Sequence, residues 1–344
     1  DELRIQSNIE TINSLLKKKN IIICMSKVGR PKGRDRSLSL SRMLPFLPHY
    51  FPEIKWTFIK DHTKVTREDF EYKPNHIYLL ENLRFYPEEK TGDNGYTKQL
   101  ASLGEIYVNN CFSMCHRDEV SITGLPKFLP SYAGLALKKE IASFYALTNH
   151  TSHPFVVVIG GTKLETKLQI LYKLIDKADT LLLGGVMANT FLAATGHDMK
   201  KSAYEKDMVD KAKKILSYAL ISGKKIHVPI DLIEEKDVAL DIGPNTMELY
   251  RQIISQARTI LYNGPMGYYQ NPSFAKGTQM IGKAIVDAKS AYSVVCGGDT
   301  ISALSGLKNI DKIDHISTGG GAYLTYIEKE RLIGIDALIS SSKI

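Results

Sequence analysis

Five short glycine-bearing segments crowd the second half of this 344-residue chain: GGTK (160–163), GG (184–185), NGPMG (263–267), GGDT (297–300) and STGGG (317–321). Glycine weakens regular structure by about 0.5–1 kcal/mol relative to alanine, so such runs call for a reason. Where a strand ends in glycines that open a helix, unpaired backbone N–H groups and the helix dipole face outward. The missing side chains let an anion approach. A single Gly-Gly-Gly run also fits a tight turn with no ligand. Five of them, nearly all directly after apolar runs, point to phosphate.

The familiar nucleotide signatures do not fit. No G-x-G-x-x-G follows a strand. GTQMIGKA (277–284) nearly matches a P-loop, but Ala284 stands where Ser or Thr would hold Mg²⁺, and the segment reads as helix interior.

The elements that must carry these turns are legible in apolar, β-branched runs. These are IIICMS (from 21), IYLLEN (77), IYVNNCF (106), FVVVIGG (155), TLLLGG (180), IHVPID (226), TILYNG (259), YSVVCGG (292) and HISTGGG (315). Helically spaced segments such as YEKDMVDKAKKILSYAL separate them, which predicts buried parallel strands alternating with helices, an α/β fold. Ligands of open parallel sheets bind outside the carboxyl ends of the strands, and those ends carry the glycines here. The stretch LPSYAGLALKKEIASFYALTNHTSHP has a Pro-Ser start, a long helical run and a polar exit, and reads as an interdomain helix and linker. The expected architecture is two Rossmann-like, three-layer lobes with parallel sheets.

Length alone favours two domains. No run of apolar residues approaches the eighteen that a membrane span needs, and no apolar signal segment follows a basic start. Four cysteines are too few and too irregular for a disulfide framework, which favours a reducing compartment and a cytoplasmic location. Cys111, Cys115 and His116 lack the fourth ligand and the paired spacing of a zinc site. The net charge of +8 suits nucleic acid, acidic surfaces or phosphorylated metabolites. The lysines at 17–19 and 211–214 fall on amphipathic helices and read as solvated faces, and the chain lacks the interleaved aromatic and basic residues of a nucleic-acid binder.

Taken in order and spacing, ENLRFYPEE (81–89), GGTKLETK (160–167), MANTFL (187–192), LDIGP (240–244), YNGPMG (262–267), GGDT (297–300) and STGGGA (317–322) closely resemble phosphoglycerate kinases. The resemblance implies reversible, Mg²⁺-dependent phosphoryl transfer from 1,3-bisphosphoglycerate to ADP, giving 3-phosphoglycerate and ATP. It further implies a monomer with no nucleic-acid or membrane partner, whose lobes close by a hinge. The lobes would be residues 1–130 for the triose, 131–150 for the interdomain helix and hinge, and 151–327 for the nucleotide, with 328–344 returning to the first lobe. Carried over motif by motif, Arg4, Lys27, Arg30, Arg84 and Arg117 would bind the triose, Arg4 also acting in catalysis. Guanidinium groups suit this task because they bond phosphate and carboxylate in bidentate fashion. Lys163 would follow the transferring phosphoryl and Lys167 would hold nucleotide phosphate. Gly297 and Gly320, with Gly319 and Gly321, would border the transferring group. Gly161, Thr162, Leu240, Asn263, Pro265, Tyr268, Gln270, Gly298, Asp299 and Thr300 would line the nucleotide, and Asp299 would attend the metal.

The pattern breaks in places. The family's V-D-F-N-V-P stretch, a central strand that also supplies Asp and Asn to the triose, precedes the position at which this sequence opens, so the first lobe is expected to lack its first strand. Lys27 replaces a histidine, Val186 and Cys296 replace glycines, Gln270 replaces a glutamate and Thr166 an aspartate. These departures support an alternative expectation: a catalytically impaired, kinase-like protein that binds nucleotide and transfers nothing.

Overall fold

The computed structural model describes residues 2–341, apart from the side chain of Thr166; that departure, and residues 342–344 of the expected returning segment, lie outside the described residues. The chain separates into two compact units. One runs up to Ile141 and resumes at Arg331; the other comprises Ala142–Glu330. Each is α/β.

In the first unit, β1 (Ile22–Cys24), β2 (Lys55–Ile59) and β3 (His76–Leu80) form a parallel sheet in the order β1-β3-β2. The central strand β3 is buried along its whole length. Its apolar residues Ile77 and Leu79 pack with Ile22, Leu40, Leu47, Phe51 and Ile12, the last from the helix Ile9–Leu16. Two further parallel strands, β4 (Tyr107–Asn109) and β5 (Ser131–Ala133), form a separate pair. The helix Ile333–Ser341 joins this unit: Gly334 N donates to the Cys115 carbonyl at 2.9 Å, and Ser341 Oγ to that of Ser131 at 3.5 Å.

The second unit is built on six parallel strands: β6 (Phe155–Ile159), β7 (Thr180–Leu183), β8 (Lys225–His227), β11 (Thr259–Asn263), β12 (Tyr292–Cys296) and β13 (His315–Ser317). The short strands β9 (Leu232–Glu235) and β10 (Val238–Ile242) make an antiparallel hairpin beside it. The six-stranded order is β13-β12-β11-β6-β7-β8. β6 and β11 are buried at every position, which explains why they read as unbroken apolar runs: helices cover both faces. Tyr250, on the helix Pro244–Ser255, places its hydroxyl between the carbonyls of Leu183 and His227, at 2.8 and 2.9 Å.

All nine apolar runs read as strands contain one. β2, β5 and the hairpin were not expected. Ser131–Ala133 falls in the stretch read as the approach to the long helix, which itself spans Leu135–Asn149. The near-P-loop segment lies inside the helix Lys276–Asp287, as its sequence suggested.

Candidate active site

The five glycine turns follow β6, β7, β11, β12 and β13. These are five adjacent strands of one sheet, and the turns stand at their carboxyl ends. They are tied to one another through the main chain. Gly160 N donates to the Asn263 carbonyl at 2.9 Å, Gly161 N to that of Pro265 at 3.0 Å, and Gly185 N to that of Met266 at 2.8 Å. Gly264 N donates to Thr300 Oγ1 at 2.7 Å, and Asn263 Nδ2 to the Cys296 carbonyl at 3.0 Å.

This contact explains one of the three glycines in STGGG. A Cβ on Gly320 would stand 2.6 Å from the Cα of Gly297, and Gly297 itself has φ +101°, a backbone conformation that side chains resist. The neighbouring turn, rather than a ligand alone, forbids a side chain at Gly320. Thr300 and Asn263, both buried, are also committed to the rim, one as acceptor and one as donor. Asn263 further donates to Cys296 Sγ at 3.3 Å, so the cysteine that replaces a glycine of the pattern is part of the rim's packing.

The charged groups sit on this frame. Lys167 donates to the Gly160 carbonyl at 2.6 Å. Burial pushes its ammonium down to about 8, against the opposing influence of Cys296 and Asp299. Lys163 and Thr162 are exposed, as are Gly298 and Asp299 at the start of the helix Gly298–Ala303. Tyr269 Oη donates to Asp299 Oδ1 at 3.4 Å. Tyr268 and Gln270 are exposed, and the Tyr268 amide donates to the Leu240 carbonyl at 2.7 Å, joining those two residues. Pro265, Gly161 and Val186 are partly exposed along the same strand ends.

In the first unit, the loop after β1 organises the basic residues. Asn82 clamps it: Val28 N donates to Asn82 Oδ1 at 3.2 Å, while Asn82 Nδ2 donates to the carbonyls of Val28 at 2.8 Å and Leu38 at 3.0 Å. Asn82 Oδ1 also accepts from Arg84 N at 3.1 Å. The Arg84 guanidinium reaches the Gly29 carbonyl, next to the exposed Arg30, and touches Met114 Sδ at 3.9 Å. Arg117 N donates to the Met114 carbonyl at 2.9 Å. Arg30, Arg84 and Arg117 are therefore linked through residues 29 and 114. Arg4 is on another element, the exposed helix Glu2–Gln6.

Lys27 has a different setting from the arginines. Its ammonium donates to Glu119 Oε2 at 2.6 Å, Ser121 Oγ at 2.9 Å and Glu89 Oε1 at 3.0 Å, with its side chain 9% exposed. Sequence reading missed Glu89, Glu119 and Asn82. The acids stand 62 and 92 residues from Lys27, and a local pattern carries no sign of a pairing at that separation.

Comparison with known proteins decides the assignment. A sequence model of the phosphoglycerate kinase family matches residues 1–330. The chain belongs to the phosphoglycerate kinase family. The phosphoglycerate kinase of Dictyoglomus turgidum is 37% identical over 98% of this chain and 90% of the relative. That of Thermus thermophilus is 35% identical over 98% and 92%. Among solved structures, the phosphoglycerate kinase of Coxiella burnetii superposes with a TM-score of 0.85 at 30% identity, covering 99% of this chain and 91% of that one. The enzyme of Pyrococcus horikoshii gives 0.86 at 28%, covering 99% and 92%. Nothing in these comparisons favours an impaired member of the family.

Proposed function

We propose that this chain catalyses reversible phosphoryl transfer from 1,3-bisphosphoglycerate to ADP, giving 3-phosphoglycerate and ATP. The observation that carries the reading is the rim of five glycine turns on adjacent strand ends, with Lys167 drawn onto it, in a chain of this family. Backbone amides and ammonium groups suit a transfer in which charge spreads over the equatorial oxygens of the moving phosphoryl. A cation about 4 Å from such an oxygen contributes on the order of 4 kcal/mol at an effective dielectric of 20. Lys163 would follow the transferring group and Lys167 would hold nucleotide phosphate. Leu240, Tyr268 and Gln270 would face the nucleoside.

Asp299 fits a Mg²⁺ ion bound with the nucleotide: it is an exposed carboxylate engaged only lightly by Tyr269, and such an ion takes one or two carboxylates beside substrate phosphates. When bound, the ion would neutralise phosphate charge. On the triose side, Arg4, Arg30, Arg84 and Arg117 would bind phosphate and carboxylate oxygens, orienting the triose for in-line transfer. The reaction in this reading is that of a cytoplasmic monomer and needs no nucleic acid.

A coupled assay with 3-phosphoglycerate and MgATP tests the reading. Turnover that is lost on changing Lys163 or Arg4 to alanine supports it; an inert wild-type protein defeats it.

A further inference from the structure

The three contacts of Lys27 form one side of a nearly buried charge cluster. Glu89 is 1% exposed and its carboxylate is braced by Ser121, whose hydroxyl donates to Glu89 Oε1 at 2.6 Å and whose amide approaches Oε2 at 3.2 Å. Glu119 is 6% exposed; one of its oxygens accepts from Lys27 and the other, Oε1, stands 3.6 Å from Arg117 Nη1. The Arg117 Nε–H is buried and has no hydrogen-bond partner, although 39% of the side chain is exposed. Two carboxylates and one ammonium leave a net charge of −1 behind the guanidinium. Glu119 Oε1 is the point at which this cluster makes an ion pair with Arg117.

We infer that Lys27 is a positioning residue: it satisfies Glu89 and Glu119 so that Glu119 steers Arg117 toward the triose, and it does not itself touch the substrate. The ammonium already makes three contacts, each at hydrogen-bond distance, with no donor left for a ligand. Without it, two carboxylates would remain in a site that excludes most water, and such unpaired buried charge is strongly unfavourable. The nearest available cation is Arg117. Already 3.6 Å from Glu119, it would close fully onto that carboxylate, and its guanidinium would be withdrawn from the substrate. Burial already works on this cluster, raising the Glu89 carboxyl above its ordinary range despite the opposing effects of Lys27 and Ser121.

The inference rests on the triose role proposed for Arg117, and a double-mutant cycle separates the two. KM for 3-phosphoglycerate and for MgATP is measured for wild type, Lys27→Met, Glu119→Gln and the double variant, with cooperative thermal unfolding required of each. Lys27→Gln serves if Lys27→Met does not fold. Lys27→Met is expected to raise KM for 3-phosphoglycerate by about tenfold and to leave that for MgATP within about twofold. In the Glu119→Gln background the same change should add less than about threefold, because the acid beside Arg117 is gone and the one that remains, Glu89, is bonded by Ser121 and makes no ion pair with Arg117. Lys27→Arg, which keeps the charge, should stay close to wild type. An equal loss from Lys27→Met in both backgrounds means that the ammonium meets the triose directly and overturns the inference. A wild type that neither turns over nor binds 3-phosphoglycerate by calorimetry counts against the functional reading instead.

Discussion

Lys167 makes nucleotide affinity depend on pH in a way that few solvent-exposed lysines would. Its ammonium is held at the Gly160 carbonyl, 2.6 Å away, and burial lowers it from 10.5 to about 8. Bound phosphate raises that value again, so binding favours the protonated lysine. Affinity then scales with the fraction of free protein that carries the proton. That fraction is about nine-tenths at pH 7 and about one-tenth at pH 9, so the apparent Kd for ADP should rise by about tenfold across this span. The terminal phosphate of ADP sheds its last proton only at the acidic end of this span, and that change acts equally on wild type and variant. The Lys167→Arg variant carries its charge throughout and should give a flat profile, whatever its absolute affinity. Isothermal titration calorimetry of ADP at five pH values in a constant-ionic-strength buffer measures both. A flat wild-type curve, or an equal slope in the arginine variant, refutes the reasoning.

Three further outcomes follow from the same frame. Gly320→Ala should lower stability by about 1–3 kcal/mol and weaken ADP binding, because the new Cβ would sit 2.6 Å from the Gly297 backbone; unaltered unfolding and calorimetry would contradict this. Asp231 caps the helix Pro244–Ser255, accepting from Thr246 Oγ1 at 2.6 Å, Thr246 N at 2.7 Å and Asn245 N at 2.9 Å; although burial opposes its charge, these bonds, the hydroxyl's first, hold its carboxyl below the ordinary range. Asp231→Ala should therefore cost about 1–2 kcal/mol near neutral pH, and the difference from wild type should shrink as pH falls through the carboxyl's own titration, as denaturant melts at several pH values would reveal. Asp241 is the opposite case: burial raises it from 3.8 to about 6, despite amide bonds from Gly277 and Ile242. Its contribution is complete below pH 4 and is lost as pH rises through 6, a change of about 3 kcal/mol that Asp241→Asn should flatten in the same melts.

Much of the second unit was legible because its central strands are buried on both faces. Burial of that kind writes itself into the chain as continuous apolar runs such as FVVVIGG and YSVVCGG, with the glycines directly behind them. The strand KWTFI was missed because Trp56 is isolated between Lys55 and Thr57, and none of its five positions is fully buried. The hairpin of β9 and β10 was missed for a related reason. Its apolar residues are diluted by acids, and its turn at Lys236 and Asp237 uses two left-handed residues, neither of them glycine. On the site side, glycine turns and basic residues stand in local motifs and were readable. What those motifs lean on was not: Glu119 behind Arg117, Asn82 under the loop after β1 and Thr300 beneath Gly264 are contacts set by tertiary packing.

The mutual bonding of the five turns bears on how this surface can change over evolutionary time. Because each turn uses its neighbour's carbonyl, amide or bare Cα as its own boundary, an alteration in one is transmitted sideways before any ligand senses it. Compensating changes for a damaged rim position should accordingly arise in the adjoining turn, as between Gly320 and Gly297, and seldom in side chains that face the nucleotide.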